Sequence, residues 1–126
     1  MPPSPFQYAI VRVVPHVERG ECVNAGVVLF CRPRRYLAAR VELDEARVLA
    51  LAPDVDLEVV RCHLDALVRI AAGAPDAGPI AALPASERFH WLVAPSSTII
   101  QCSDVHTGLC DDPEAELEHL MSRLVR

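Results

Sequence analysis

Lysine is absent: all twelve basic residues are arginine. With so much alanine, valine and proline beside it, this reads as the habit of a GC-rich genome rather than as chemistry. Also absent is any apolar run near the ~18–20 residues that span a bilayer. The opening Met-Pro-Pro-Ser-Pro has neither the basic nor the apolar region of a secretory leader, so a cytoplasmic protein without membrane contact is expected. The five glycines are scattered, and neither GxGxxG nor GxxxxGKS/T can be built from them, which excludes nucleotide hydrolysis by those routes. HExxH and GxSxG are missing as well. Cys22, Cys31, Cys62, Cys102 and Cys110 are odd in number and contain no CxxC pair. A disulfide framework is therefore not expected, the thiols are taken as reduced, and no cofactor is implied.

What is present suits a single folded domain. A chain of 126 residues falls in the usual size range of one domain, and 52% apolar with 23% charged residues is the balance of a globular protein rather than a disordered one. Charge is unevenly placed. Residues 1–40 carry six arginines against Glu18 and Glu21, a net of +4, whereas the remaining six arginines face fifteen acids, a net of −9. A basic region can attract phosphate or an acidic protein surface, but an acidic whole opposes general nucleic-acid affinity, so nucleic acid is not the expected partner.

Residues 1–5 are read as a flexible tail and 6–126 as one α+β domain, with a mainly antiparallel sheet of about four strands and helices packed on it. Phe6 to Pro15 is β-favouring on both parities, as in a central strand covered on both faces, with Arg12 as its one charged member. An unpaired buried guanidinium is too costly, so Arg12 must find a partner or reach solvent. Ala25 to Arg32 forms the second strand. After Arg32-Pro33-Arg34-Arg35, Tyr36 to Leu43 alternates cleanly as a half-exposed edge strand, and the three make a meander. Asp44 caps a short helix over 45–51, ended by Pro53. Leu57, Val60, Leu64, Leu67, Val68 and Ala71 mark a longer amphipathic helix over 56–72, closed at Gly73. Pro84 to Val93 is left open between helix and strand. Ser96 to Ser103 is the fourth strand, with Gly108 after it as a breaker. Asp111, Pro113 and Glu114 start a last helix packed by Leu117, Leu120, Met121 and Leu124.

Several constellations invite a functional reading. Cys102, His106 and Cys110 show C-x3-H-x3-C spacing, and thiolate and imidazole are zinc's preferred ligands, with Cys22 or Asp104 as a fourth. Structural zinc normally draws on closer pairs, and a cysteine in a β run is most often a small buried hydrophobe, so no metal is the preferred reading. A cysteine nucleophile would need His106 as base and Asp104 or Asp111 to orient it, and no local signature supports one. Arg32, Arg34 and Arg35 are the densest cationic cluster; arginine forks suit carboxylate or phosphate, while a solvated hairpin tip is the plainer reading. Arg12, His16, Glu21, Asn24, Ser97, Thr98, Gln101 and His106 form a weaker polar set, which converges only if the fourth strand pairs beside the first.

Three segments taken together resemble a known family: Tyr8-Ala-Ile-Val-Arg-Val-Val-Pro, Gly20-Glu-Cys-Val-Asn-Ala-Gly-Val-Val-Leu-Phe and Phe89-His-Trp-Leu-Val-Ala-Pro-Ser-Ser-Thr. They are similar, over roughly Phe6 to Val125, to the bacterial family catalogued as domain of unknown function 3037 (DUF3037). The resemblance carries no established activity and no catalytic residues, and it implies association with a HipA-like kinase encoded nearby. It points to Arg12, Glu21, Asn24, Gly26 and the Ser97–His106 stretch without separating binding from folding roles. The leading expectation is a non-enzymatic interaction or regulatory module, with a homodimer through the third strand also open. The alternative is a small enzyme or ligand-binding protein that uses Arg12, Asn24, Thr98 and His106 on an anionic substrate.

Overall fold

The computed structural model describes residues 2–126. Strands β1 (Ser4–Val13), β2 (Val23–Cys31) and β3 (Tyr36–Val41) form the expected antiparallel meander, with a 3-10 turn at Arg32–Arg34 between the last two. Helices α1 (Glu45–Leu51), α2 (Leu57–Ala71) and α3 (Ala85–Val93) follow, then β4 (Ile100–Cys102), β5 (His106–Cys110) and α4 (Pro113–Leu124). β1 is central. β2 lies on one side of it, while β4 and β5 share the other, β4 against Val11–Val13 and β5 against Ser4–Tyr8, all antiparallel. The fold is α+β, with five strands rather than four.

The fifth strand is where sequence reasoning missed. Gly108 does not break the chain: it lies opposite Phe6, and a Cβ there would come within 2.7 Å of the Phe6 ring. The missing side chain makes room for the aromatic one, which turns a breaker into a strand position. Conversely, Ser96–Thr98 is not strand. The Ser96 and Thr98 hydroxyls lie 3.0 Å apart and Thr98 donates to the Ile100 carbonyl at 2.8 Å, local bonds that compete with a ladder. β1 also starts earlier than Phe6. Ser4 is buried and pairs with Cys110, and Pro5 pairs with Leu109, so these two belong to the sheet rather than to a tail.

The helices start where their caps dictate. Asp44 accepts from the Arg47 amide at 3.1 Å, and Asp56 accepts from the amides of Glu58 and Val59. The cap of α4 is Asp112, not Asp111, because Pro113 takes the first helical position, where its missing N–H costs nothing. The segment left open, Pro84–Val93, is helical. Phe89 anchors it, wholly buried against Phe30 with ring centroids 5.3 Å apart.

Two apolar layers result. Val11, Val13, Val28 and Phe30 of the sheet meet Val48, Val60, Leu64, Leu67 and Phe89 of α1–α3 on one face. Phe6, Val27, Leu29 and Cys31 meet Leu117, Leu120 and Met121 of α4 on the other. β3 is at the sheet edge as expected. Its Leu37, Ala39 and Val41 pack on the first layer and Tyr36 and Ala38 on the second, so α4 covers the side expected to be open. Among the described residues no helix is long and apolar enough to cross a membrane.

Candidate functional site

Most of the residues singled out above occupy three separate places, while His16 and Glu21 lie apart in the β1–β2 connection, His16 facing Asp54 at 3.7 Å and Glu21 paired with Arg19 at 2.6 Å. The first is the open part of the second face. α4 lies over β2 and β3, so Tyr8, Ile10 and Arg12, which share a face with Phe6 by strand alternation, remain half-buried. Arg12 stands opposite both Asn24 and Gln101, and the β1–β2 register shifts between Val11 and Arg12 as at a bulge. Three members of the polar set thus do come together in one row. His106 lies opposite Tyr8, rings 5.3 Å apart, four residues along β1 and roughly 13 Å away at ~3.3 Å per residue.

Within that row Asn24 is partly structural, since its amide donates to the Leu124 carbonyl at 3.0 Å and pins the end of α4. Gln101 donates to the Thr98 carbonyl at 2.9 Å. Arg12 makes no hydrogen bond or ion pair among the described residues, and its Nε is buried without an acceptor. Arg88 also has an unbonded Nε, but its two other nitrogens donate to the carbonyls of Leu83 and Ala71. Ser103, passed over in the sequence except as a strand end, is buried: its hydroxyl accepts from the Ile10 amide at 2.8 Å and donates to the Asp104 carbonyl, tying the β4–β5 connection to β1.

The second place is the β2–β3 hairpin tip. Pro33 sits within the 3-10 turn, and Arg34 Nε donates to Ser4 Oγ at 2.9 Å, fastening the turn to β1. Arg35 has φ 52, the left-handed region, and is the one non-glycine residue with positive φ among those described. Glycine would be cheaper there, so the arginine side chain is retained at some conformational cost. Arg19, Arg40, Arg47, Arg61, Arg69 and Arg126 are each ion-paired, whereas Arg32, Arg34 and Arg35 have no ion pair among the described residues.

The third place is a groove of about 440 Å³ between α2, α3 and β4, where Thr98 resides. Thr98 therefore does not join Arg12 and Asn24. Cys102 also lines this groove, while His106 is on the opposite side of the sheet plane and Cys110 is buried at the far end of β5, opposite Ser4. The C-x3-H-x3-C spacing is thus pulled apart by strand pairing. Among the described residues no three His, Cys, Asp or Glu side chains are gathered as metal ligands.

Nor are these thiols activated. Burial pushes Cys102 up to about 11 against the weaker opposing pull of Arg12, and burial with the neighbouring Cys31 pushes Cys110 up to about 11. Both are protonated at neutral pH and poor nucleophiles or ligands. Trp91, half-exposed at the rim of the groove, went unremarked in the sequence; the signal available was a lone tryptophan beside the buried Phe89 and Leu92.

No curated protein and no solved structure matches the chain. A family model described as protein of unknown function (DUF3037) matches residues 8–125. That span carries β2, the hairpin, both helical layers and Arg12, and the protein belongs to this family.

Proposed function

We propose that this domain is a cytoplasmic, non-enzymatic protein-interaction module that docks an acidic surface of a partner through the hairpin tip. The observation that carries the reading is the contrast between paired and unpaired arginines. Among the described residues six of the twelve arginines are ion-paired; of the six that are not, Arg12, Arg88 and Arg123 stand apart in the sequence, whereas Arg32, Arg34 and Arg35 are gathered on one proline-containing turn. The acidic start of α4 lies close by, with Glu114 and Asp112 raising the Tyr36 phenol after burial does. Such a mixed field suits carboxylates at defined positions better than a uniform polyanion, which favours protein over nucleic acid.

The test is binding to a HipA-like kinase encoded nearby, and a pull-down from the bacterium that encodes the chain. An Arg32→Glu/Arg35→Glu variant serves as control and leaves the Arg34–Ser4 bond intact. Binding should fall at least about tenfold, about 1.4 kcal/mol, and weaken as salt rises. A partner held equally well by the variant overturns the reading. Light scattering of the bait separates partner capture from self-association through β3.

A second reading rests on Arg12, whose guanidinium without an acceptor favours a small carboxylate or phosphate ligand on the open face. Calorimetry with phosphate and acetate, against Arg12→Gln, decides it: heat common to both proteins, or none, removes it.

A further inference from the structure

The groove between α2, α3 and β4 is distinct from the hairpin tip. The tip is tied to Ser4 at one end of β1, and the groove lies behind β4 at the other, roughly 30 Å along the strand at ~3.3 Å per residue. Its wall on α2 is the stripe His63, Ala66, Leu67 and Ile70, at the spacing that puts four side chains on one helix face. The opposite wall is Trp91 and Leu92 at the end of α3, the floor is Ile100 and Cys102, and the Pro95–Thr98 turn closes one side.

Two properties set its chemistry. No Asp, Glu, Lys or Arg lines it, although three other concavities do carry such groups: Arg40, Arg61 and Asp65 between β3 and α2, Asp44 and Arg47 beside α4, and Asp54 and Asp56 near Pro15. Of the polar side chains that line it, Ser96, Thr98, Gln101 and Cys102 are engaged within the chain, and His63 on the α2 wall makes no hydrogen bond among the described residues. The Thr98 hydroxyl donates to the Ile100 carbonyl, the Gln101 amide to the Thr98 carbonyl and the Cys102 thiol to the Leu92 carbonyl at 3.4 Å. A charged guest would lose its hydration with only the exposed His63 imidazole to offset the loss, whereas an apolar one covers Leu67, Ile70, Leu92 and Ile100. Trp91, 51% exposed, offers a ring face at the rim. The volume falls within the ~300–1,000 Å³ of small-molecule sites.

We infer that this groove is a binding site for an uncharged, largely apolar small molecule with a flat ring, stacked on Trp91 and held between α2 and β4. Trp91 is the only tryptophan of the chain, so its emission reports the site directly.

The experiment compares two probes on one ring scaffold: N-phenyl-1-naphthylamine, which is neutral, and 8-anilino-1-naphthalenesulfonate, which adds a charge. The neutral probe is expected to bind saturably at one site with quenching of Trp91, and the sulfonate at least about tenfold more weakly. Ala66 and Ala94 are exposed and line the groove, so Ala66→Phe and, separately, Ala94→Phe fill it without touching the core. Each should weaken the neutral probe at least about tenfold at an unchanged melting temperature. The inference is overturned by the absence of saturable quenching, by equal affinity for the two probes, or by variants that melt as the parent does and bind as well.

Discussion

The two faces of the sheet are built to different depths. On the face covered by α1–α3, Val11, Val13, Val28, Phe30 and Phe89 are packed with at most a few per cent exposure, and Phe89 is wholly buried. On the face covered by α4 the apolar layer gathers at β2, Phe6 and Cys110 with Tyr8 packed at its margin, leaving Ile10, Arg12 and His106 beyond it. The difference explains how a central strand tolerates an arginine. Had a second helix covered this half, the Arg12 guanidinium would be stranded in an apolar layer at a prohibitive cost. One helix of twelve residues leaves the residue half-exposed instead, with only its Nε enclosed. A deep face supplies stability, and an unfinished face frees side chains for contact.

Truncation in the deep layer is the harshest way to break this comparison. Phe89→Ala should cost about 3–5 kcal/mol in urea unfolding, and Leu117→Ala on the thinner face about 2–3 kcal/mol; equal costs would show two equivalent layers. Gly108→Ala drives a Cβ into the Phe6 ring and should destabilise by about 1–3 kcal/mol, while exchange of the β5 amides with solvent quickens. If it leaves the melting temperature unchanged, β5 is not tied to Phe6.

Thiol chemistry sharpens the contrast further. Cys22 and Cys62 are exposed and should react with a disulfide reagent at once, Cys102, half-buried on the groove floor, more slowly, and the buried Cys31 and Cys110 only as the protein unfolds. Because the folded state holds the protons of Cys102 and Cys110 more tightly than the unfolded chain, their contribution to stability is complete below the ordinary thiol value of 9.0. It fades as the pH rises towards about 11. Unfolding at about pH 8 and about pH 10.5 should show that loss, and it should shrink in Cys102→Ala. The smallest effect belongs to the open face: Arg12→Leu should change stability by less than about 1 kcal/mol in either direction. A loss on the scale of Phe89→Ala would mean that Arg12 holds the sheet together.

Much of the architecture follows from local chemistry. Alternation in Tyr36–Leu43, the carboxylates at Asp44 and Asp56 and the apolar spacing of α2 each act over a few residues, so the meander, the helix starts and their packing faces can be read without a structure. The candidate sites were legible only in part. That Arg12, Asn24 and Gln101 share a row depended on pairing partners 12 and 89 residues apart in the chain, a choice made by which strands bury the most surface together. The same pairing separated Cys102, His106 and Cys110, whose even spacing suggested a cluster. Gly108 reads as a turn in isolation and becomes a strand residue only because Phe6 lies across it. The groove under Trp91 exists only because α2, α3 and β4 meet, and no local pattern records that meeting. Composition and periodicity determined the elements and their class, because hydrogen bonding and side-chain spacing act locally. The sites were decided by the tertiary structure, because they are made of residues that only long-range packing brings together.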